Sequence, residues 1–223
     1  MDKTIVSFLW LACCVCSSAT AQLDPNGGAN KPGAEKPHVY MDTRIYSEAV
    51  AFSYPEGFQP GFQRTNGDHF IMELVPKGET VDQWSQMVTV TGAKGLSANP
   101  ALTPQIAVER IANHFKGACP DTFSATGIGP AKISCHDAYE LWASCGTVKS
   151  GENAHSESAL LVSIKGVDDY YTIQWAERGP ASSSPLVFDK TKWMDKLKRL
   201  APITIAPIAP GAPGADSSCA DQK

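Results

Sequence analysis

Three consecutive strands predicted within residues 138–178 constrain the fold of this chain more than any other feature. Their sequences are AYELWASC, SESALLVSIK and YYTIQWAER. In the middle strand Leu160, Val162 and Ile164 point to one side and more polar neighbours point to the other, which predicts a sheet with one buried face and one partly wet face. Turn residues at positions 166–169 separate the last two strands and predict an antiparallel hairpin.

The two ends of the chain differ from this central part. Residues 1–21 combine a charged start, a short apolar run and the small-residue sequence Ala19-Thr20-Ala21, which predicts a secretory signal peptide cleaved before Gln22. Lipoprotein processing at a cysteine of the apolar run is the alternative. Residues 22–38 and 207–223 are rich in Gly, Pro and Ala, so we expect a disordered leader and a disordered tail around one domain, residues 39–206. No later apolar run is long enough for a transmembrane helix, and we expect a periplasmic or secreted protein.

Four cysteines remain after the signal peptide: Cys119, Cys135, Cys145 and Cys219. An even number of cysteines in an exported protein favours disulfides, and four cysteines allow three connectivities. We favour Cys119–Cys145 because both residues stand at the ends of predicted elements. Cys219 then pairs with Cys135, stays free or bridges two molecules. A metal site is not predicted, since there is no C-x-x-C motif and His136 has no partner at ligand spacing.

Strand and turn patterns predict the rest of the sheet. We expect a first strand over residues 44–54, a hairpin around Asn66-Gly67-Asp68, further strands over residues 84–91 and 122–133, and a short strand at residues 203–205. Asn and Gly tolerate the positive φ angles of tight hairpin turns, which is why the second of these predictions is specific.

Two amphipathic helices accompany the strands. The first opens at Thr103-Pro104 and ends at Gly117, and Val108, Ile111, Ala112 and Phe115 form its apolar stripe. The second covers residues 190–200 after Asp189 as N-cap. Hairpins together with two separated helices predict an α+β fold, an antiparallel β-sheet with helices packed on it.

The order of these elements resembles that of a known superfamily. A Pro-Glu-Gly-Phe turn at residues 55–58 precedes a hairpin, the Trp84 strand WSQMVTV, a helix, the meander SALLVSIKGVDDYYTIQWAER and a closing helix with Trp193. This order resembles the Mog1/PsbP-like superfamily, which includes the DcrB-type exported bacterial domains. The resemblance implies an α/β/α sandwich around the antiparallel sheet. It also implies a binding, assembly or accessory role, with no enzymatic activity or catalytic residues common to the superfamily.

Motifs for catalysis are scarce in the sequence. It contains no G-x-S-x-G elbow, no H-E-x-x-H helix and no phosphate-binding glycine loop. His136, Asp137 and Glu140 form the one combination that could act as acid and base, which gives a hydrolase as the least favoured hypothesis. A net charge of −4 argues against a nucleic-acid partner. No cofactor is predicted.

Aromatic residues on the predicted strands are the other functional candidates. We expect Trp84 and Trp175 in the core, and Trp142 and Tyr170 exposed as contact residues for a partner. The leading hypothesis is therefore an exported, non-enzymatic binding or accessory protein of the bacterial cell envelope, with a protein partner in the envelope or the extracellular space. The alternative is a small-molecule or lipid-binding periplasmic module with a deep apolar pocket between helix and sheet.

Overall fold

A computed structural model describes residues 38–148 and 154–208, which all fall within one compact unit. The predicted signal peptide, most of the leader and all but the first two residues of the tail lie outside the described residues, as does Cys219. The strands are β1 (His38–Ile45), β2 (Glu48–Pro55), β3 (Phe58–Asn66), β4 (His69–Pro76), β5 (Gln86–Ala93), β6 (Phe123–Ile133), β7 (His136–Val148), β8 (His155–Lys165), β9 (Tyr170–Pro180) and β10 (Thr204–Pro207). The helices are α1 (Pro104–Ala118) and α2 (Lys190–Leu200), and a 3-10 turn covers Leu96–Ala98.

Seven strands form one antiparallel sheet in the order β3-β4-β5-β9-β8-β7-β6. The predicted meander, β7 to β9, lies in this sheet, and β5 joins it to the β3–β4 hairpin. That hairpin turns at Gly67, whose φ of 58° is in the left-handed region that glycine adopts without strain. The Asn-Gly signal in the sequence therefore predicted this hairpin correctly.

A second, three-stranded sheet has the order β1-β2-β10. The sequence predicted a single strand over residues 44–54, and this is wrong, because the chain reverses between β1 and β2 at Tyr46 and Ser47. Tyr46 has a φ of 56°, a conformation that non-glycine residues rarely adopt. The turn contains no Gly, Pro or Asn, and Ser47 alone is a weak turn signal.

Helix α1 covers one face of the large sheet. Its N-cap is Thr103, whose side chain accepts a hydrogen bond from the Ile106 amide, as the sequence predicted. Below it lies a row of cross-strand neighbours with small side chains, Ala143, Ala159 and Ala176. Because alanine side chains are short, the helix can approach the sheet closely and bury its own Val108 and Ala112.

The opposite face of the sheet is covered by helix α2 and by the small sheet. Asp189 caps α2 by accepting from the Lys192 amide at 3.0 Å, and Trp193 and Leu200 enter the core. Both faces of β8 are thus buried, so the prediction that one of them is partly wet is wrong: α1 covers it. The predicted α+β class, with helices on the two faces of an antiparallel sheet, is confirmed.

A disulfide joins the residue after α1 to strand β7. It links Cys119 to Cys145, the pair that the sequence favoured, with a Cα–Cα distance of 5.7 Å. The helix extends to Ala118, one residue past the predicted end at Gly117, and Cys119 is its C-cap. The bond fixes this end of α1 to the strands that the helix covers.

Candidate functional site

Trp142 and Tyr170 are both buried, with 1% and 4% of their surface exposed. The expectation that they are exposed is therefore wrong, and the assignment as partner-contacting residues, which depended on that exposure, is not retained. The indole of Trp142 packs against Phe188 and Trp193, with ring centroids 5.3 and 6.3 Å apart. The Tyr170 hydroxyl donates a hydrogen bond to the Leu102 carbonyl, just before α1. In both cases a segment distant in sequence covers a side chain that the strand pattern alone leaves open.

The predicted acid–base residues do not meet. His136, Asp137 and Glu140 follow one another on β7, and alternate residues of a strand point to opposite faces. The Asp137 side chain therefore lies on the other side of the sheet from the other two. The side-chain hydrogen bond from Lys132, at 2.6 Å, lowers the pKa of Asp137, while burial raises the pKa of Glu140. These three residues form no catalytic cluster.

A half-open groove lies on the face of the large sheet that carries α1. The helix packs mainly over β6, β7 and β8, and the groove lies beside it, over parts of β3, β4 and β5 and the Thr172 to Gln174 part of β9. The resulting cavity has a volume of about 570 Å³. The groove is preformed, since its floor consists of hydrogen-bonded strands and one wall is a helix fixed by a disulfide.

Polar side chains on paired strands form part of the groove floor, and Phe70, Ile71, Gly92 and Ala93 also line it. Thr91 of β5 lies opposite Thr172 of β9, and Thr89 lies opposite Gln174. These residues lie on the same face of the sheet as Ala143, Ala159 and Ala176, the alanines beneath α1. Hydroxyl and amide groups at these positions remain hydratable where no helix covers them, and their methyl and methylene groups provide apolar contact area.

The walls of the groove come from α1 and from the β3–β4 hairpin. Ile111 and His114 line it from the helix, and Arg64, Asn66 and His69 line it from the hairpin. All of these side chains except Ile111 are exposed. No carboxylate belongs to the lining formed by the described residues, so the charged and titratable groups that face the groove are all basic.

Asp169 orders the loops at the end of the sheet next to the groove. Its carboxylate accepts hydrogen bonds from the Ser47 hydroxyl and the Gly95 amide, each at 2.7 Å, and from the Tyr171 hydroxyl at 3.2 Å. The residues that it joins belong to the β1–β2 turn, the segment after β5 and strand β9. Burial raises the pKa of Asp169, but these hydrogen bonds outweigh burial and hold the pKa below its ordinary value.

Two further contacts extend this ordering to the β3–β4 turn. The Tyr46 hydroxyl donates to the Gly67 carbonyl at 3.3 Å, and the Lys94 amide donates to the Asp68 carbonyl at 2.9 Å. The hairpin that carries Arg64 and His69 is therefore tied to the rest of the molecule at its tip. Its groove-facing side chains extend from a backbone that is fixed before any ligand binds.

No direct signal for this groove is present in the sequence. Its lining residues come from four strands and one helix, and no two of its basic residues share a recognisable motif. The one available hint is that His114 lies off the apolar stripe of its helix, a position that indicates exposure but not what lies opposite.

Within residues 38–148 and 154–208, no three His, Cys, Asp or Glu side chains are placed to hold a metal ion. No helix in this part of the chain is both long and apolar enough to cross a membrane.

Solved structures of similar fold exist, although no protein-family model and no curated protein matches the chain. A PsbP (CyanoP) from Synechocystis sp. PCC 6803 has a TM-score of 0.42 and 12% identity, over 81% of this chain and 99% of its own. The Ran-binding protein Mog1p of Saccharomyces cerevisiae has a TM-score of 0.40 and 11% identity, over 74% and 86%. LpqN, involved in cell envelope biogenesis of Mycobacterium tuberculosis, has a TM-score of 0.37 and 10% identity, over 76% and 92%.

The predicted superfamily takes its name from Mog1 and PsbP, and both kinds of protein are among these structures. The likeness that the sequence suggested is found again among solved structures, at 11–12% identity. The likeness concerns the fold and carries no argument about function.

Proposed function

We propose that this protein is an exported, non-enzymatic binding or accessory protein of the bacterial cell envelope, and that it holds a segment of a protein partner in the groove beside α1. The observation that carries the proposal is the preformed, half-open cavity of about 570 Å³. Its floor and walls are fixed by strand pairing, by the Cys119–Cys145 bond and by the Asp169 hydrogen bonds. A site that is rigid before binding loses little conformational entropy when a partner docks.

The position of the groove at the margin of the sheet favours an extended polypeptide as its occupant. Strand β3 is the last strand of the large sheet, and along its outer side its backbone pairs with no other described strand. An unpaired edge strand is a template for an added strand. A segment that enters the groove over Arg64 and Asn66 can therefore also lie along β3.

Export is supported by two independent features. Residues 1–21 have the three-part pattern of a secretory signal peptide. The Cys119–Cys145 bond fits an oxidising compartment, where such bonds persist. Together they favour a periplasmic or secreted location.

A small molecule is the second candidate for the groove. A volume of about 570 Å³ is within the range of ligand pockets, roughly 300–1,000 Å³. Beside the four polar side chains of the floor, the lining includes the apolar residues Phe70, Ile71 and Ile111, so an amphipathic ligand meets both polar and apolar surface there.

Photo-crosslinking in the producing cell tests the proposal at the level of the groove. A benzoylphenylalanine at His114, on the wall, is expected to form an adduct with one protein partner. The same group at Thr191, which is exposed on α2 and thus on the opposite face of the sheet, serves as the matched control. Thr91→Trp fills part of the floor and is expected to reduce the adduct at position 114, while Thr191→Trp is expected to leave it unchanged.

Two results contradict the proposal. One is the absence of any protein adduct at position 114 in a correctly folded, exported protein. The other is an adduct that forms equally at position 191 or that Thr91→Trp does not reduce. A small-molecule site is then the remaining candidate, and extraction of the purified protein followed by mass spectrometry tests it.

A further inference from the structure

The basic residues around the groove indicate the chemistry of the segment that it receives. Arg64 and Asn66 lie two residues apart on β3 and so point to the same side, and His69 is the cross-strand partner of Asn66. His114 lines the groove from α1. One permanent cation and two imidazoles thus line a single cavity, with a side-chain amide beside them.

Some cations of the molecule are already paired, whereas Arg64 is not. Arg178 lies 3.6 Å from the Glu157 carboxylate, and Lys132 pairs with Asp137. Arg64 has no ion-pair or hydrogen-bond partner among the described residues. Its guanidinium is free to form the two parallel hydrogen bonds with a carboxylate for which its planar shape is suited.

Two carboxylates lie near the lining residues in sequence but do not belong to the lining. Glu73 lies on the same face of β4, two residues beyond Ile71, and burial raises its pKa. Asp68 lies in the hairpin turn next to His69. The described side chains that line the groove itself thus include basic groups and no carboxylate, although the whole chain has a net charge of −4.

We propose that the groove receives an acidic segment of the partner, with an Asp or Glu side chain of that segment bound by Arg64. The imidazoles of His69 and His114 and the amide of Asn66 donate further hydrogen bonds to the same segment. This inference rests on the proposed function and adds the chemical class of the partner segment. Charge complementarity of this kind contributes specificity and a faster association rate.

Selection of peptides on the purified, disulfide-bonded protein tests the inference. The probe is a displayed library of random octapeptides, selected in parallel on the unmodified protein, on Arg64→Gln and on Lys132→Gln. Lys132 is the matched control, because it is an exposed cation on β6, at the far edge of the same sheet. We expect Asp and Glu to be enriched on the unmodified protein and on Lys132→Gln, and this enrichment to be lost on Arg64→Gln.

Affinities of the selected peptides give the quantitative result. Arg64→Gln is expected to weaken binding about tenfold, as the loss of one charge-assisted hydrogen-bonded pair predicts. A peptide in which every Glu is replaced by Gln is expected to lose a similar factor. Higher salt is expected to weaken binding of the acidic peptide more than binding of its Gln counterpart.

The outcomes separate this inference from the proposed function. One result is that the selected peptides lose binding on Thr91→Trp and yet show no enrichment of Asp and Glu, or keep that enrichment on Arg64→Gln. Either form of it overturns the inference that the segment is acidic, but leaves the groove as a peptide-binding site. If no selected peptide loses binding on Thr91→Trp, both the inference of an acidic segment and the proposed function are overturned. Free N-acetylglutamate that competes as well as a whole peptide also overturns the inference, because the site then recognises a small anion and not a segment.

Discussion

Lys196 shows how much a single buried cation depends on its surroundings. Only 7% of its surface is exposed, and its ammonium lies 4.2 Å from the centroid of the Trp175 ring. It also lies 3.0 Å from the Gln86 side-chain oxygen and 3.3 Å from the Glu177 carboxylate. Burial lowers the pKa of Lys196 from 10.5 to about 8, although Glu177 acts in the opposite direction.

This shift predicts a pH dependence of stability at the alkaline side. Between pH 8 and 10.5 the unfolded chain holds a proton on Lys196 that the folded protein has lost, so the free energy of unfolding rises with pH in this window. The rise is at most about 3 kcal/mol for this residue. Lys196→Met removes it, whereas Lys198→Met, at an exposed position of the same helix, leaves it in place. Urea unfolding at pH 7, 8.5 and 10 measures the difference, and equal pH slopes in the two variants would falsify the assignment.

At the scale of elements, the contact between α1 and the sheet depends on the small residues below the helix. Ala143, Ala159 and Ala176 are each fully buried, and they lie side by side on three adjacent strands. Ala125 continues the same row on β6, but it is exposed. The helix thus needs short side chains only where it lies directly over the sheet.

Enlargement of one alanine tests this packing. Ala159→Leu places three extra carbon atoms between helix and sheet and is expected to lower the free energy of unfolding by about 1–3 kcal/mol. Ala125→Leu makes the same chemical change at the exposed end of the row and is expected to have an effect of less than about 0.5 kcal/mol. Urea unfolding at pH 7 measures both variants. If the two variants lose equal stability, the close packing of α1 does not depend on the small side chains of the alanine row.

At the scale of the whole molecule, Asp169 connects segments that are far apart in sequence. The residues that donate to its carboxylate, Ser47, Gly95 and Tyr171, bring the small sheet, the segment after β5 and strand β9 to one place. The same end of the molecule adjoins the groove. The fixed position of the β3–β4 hairpin therefore depends on contacts that include both sheets.

Loss of this carboxylate is expected to weaken the molecule and to change its response to acid. Asp169→Asn is expected to lower the free energy of unfolding at pH 7 by about 2–4 kcal/mol, because an amide NH2 group replaces one of the two oxygens that accept hydrogen bonds and the negative charge is lost. Since the folded pKa of Asp169 lies below its ordinary value, the carboxylate stabilises the fold above about pH 4, and this stabilisation is lost as the pH falls through the folded pKa.

Urea unfolding between pH 2 and 7 measures the acid response. Asp169→Asn is expected to flatten the acid limb of the stability curve. Asp42→Asn, at an exposed position of β1, is the matched control and is expected to keep the acid limb of the unmodified protein. Identical acid limbs in the two variants would show that Asp169 does not account for the loss of stability at low pH.

The sequence by itself determined the features that depend on neighbouring residues. The meander of β7 to β9 follows from alternation along each strand, and the caps at Thr103 and Asp189 follow from side chains that bond to amides three residues ahead. The β3–β4 hairpin follows from Asn66-Gly67. In each case the stabilising interactions join residues that are close in sequence, so a local pattern is sufficient to predict the element.

Only the tertiary structure decided which surfaces are covered. Trp142 and Tyr170 lie on strands that the sequence placed correctly, yet each is buried by a segment more than 40 residues away. The groove exists for the converse reason, since α1 covers one half of a sheet face and leaves the Thr91 half open. Burial depends on the packing of distant elements, and a pattern along the chain records which residues share a face but not what lies against that face.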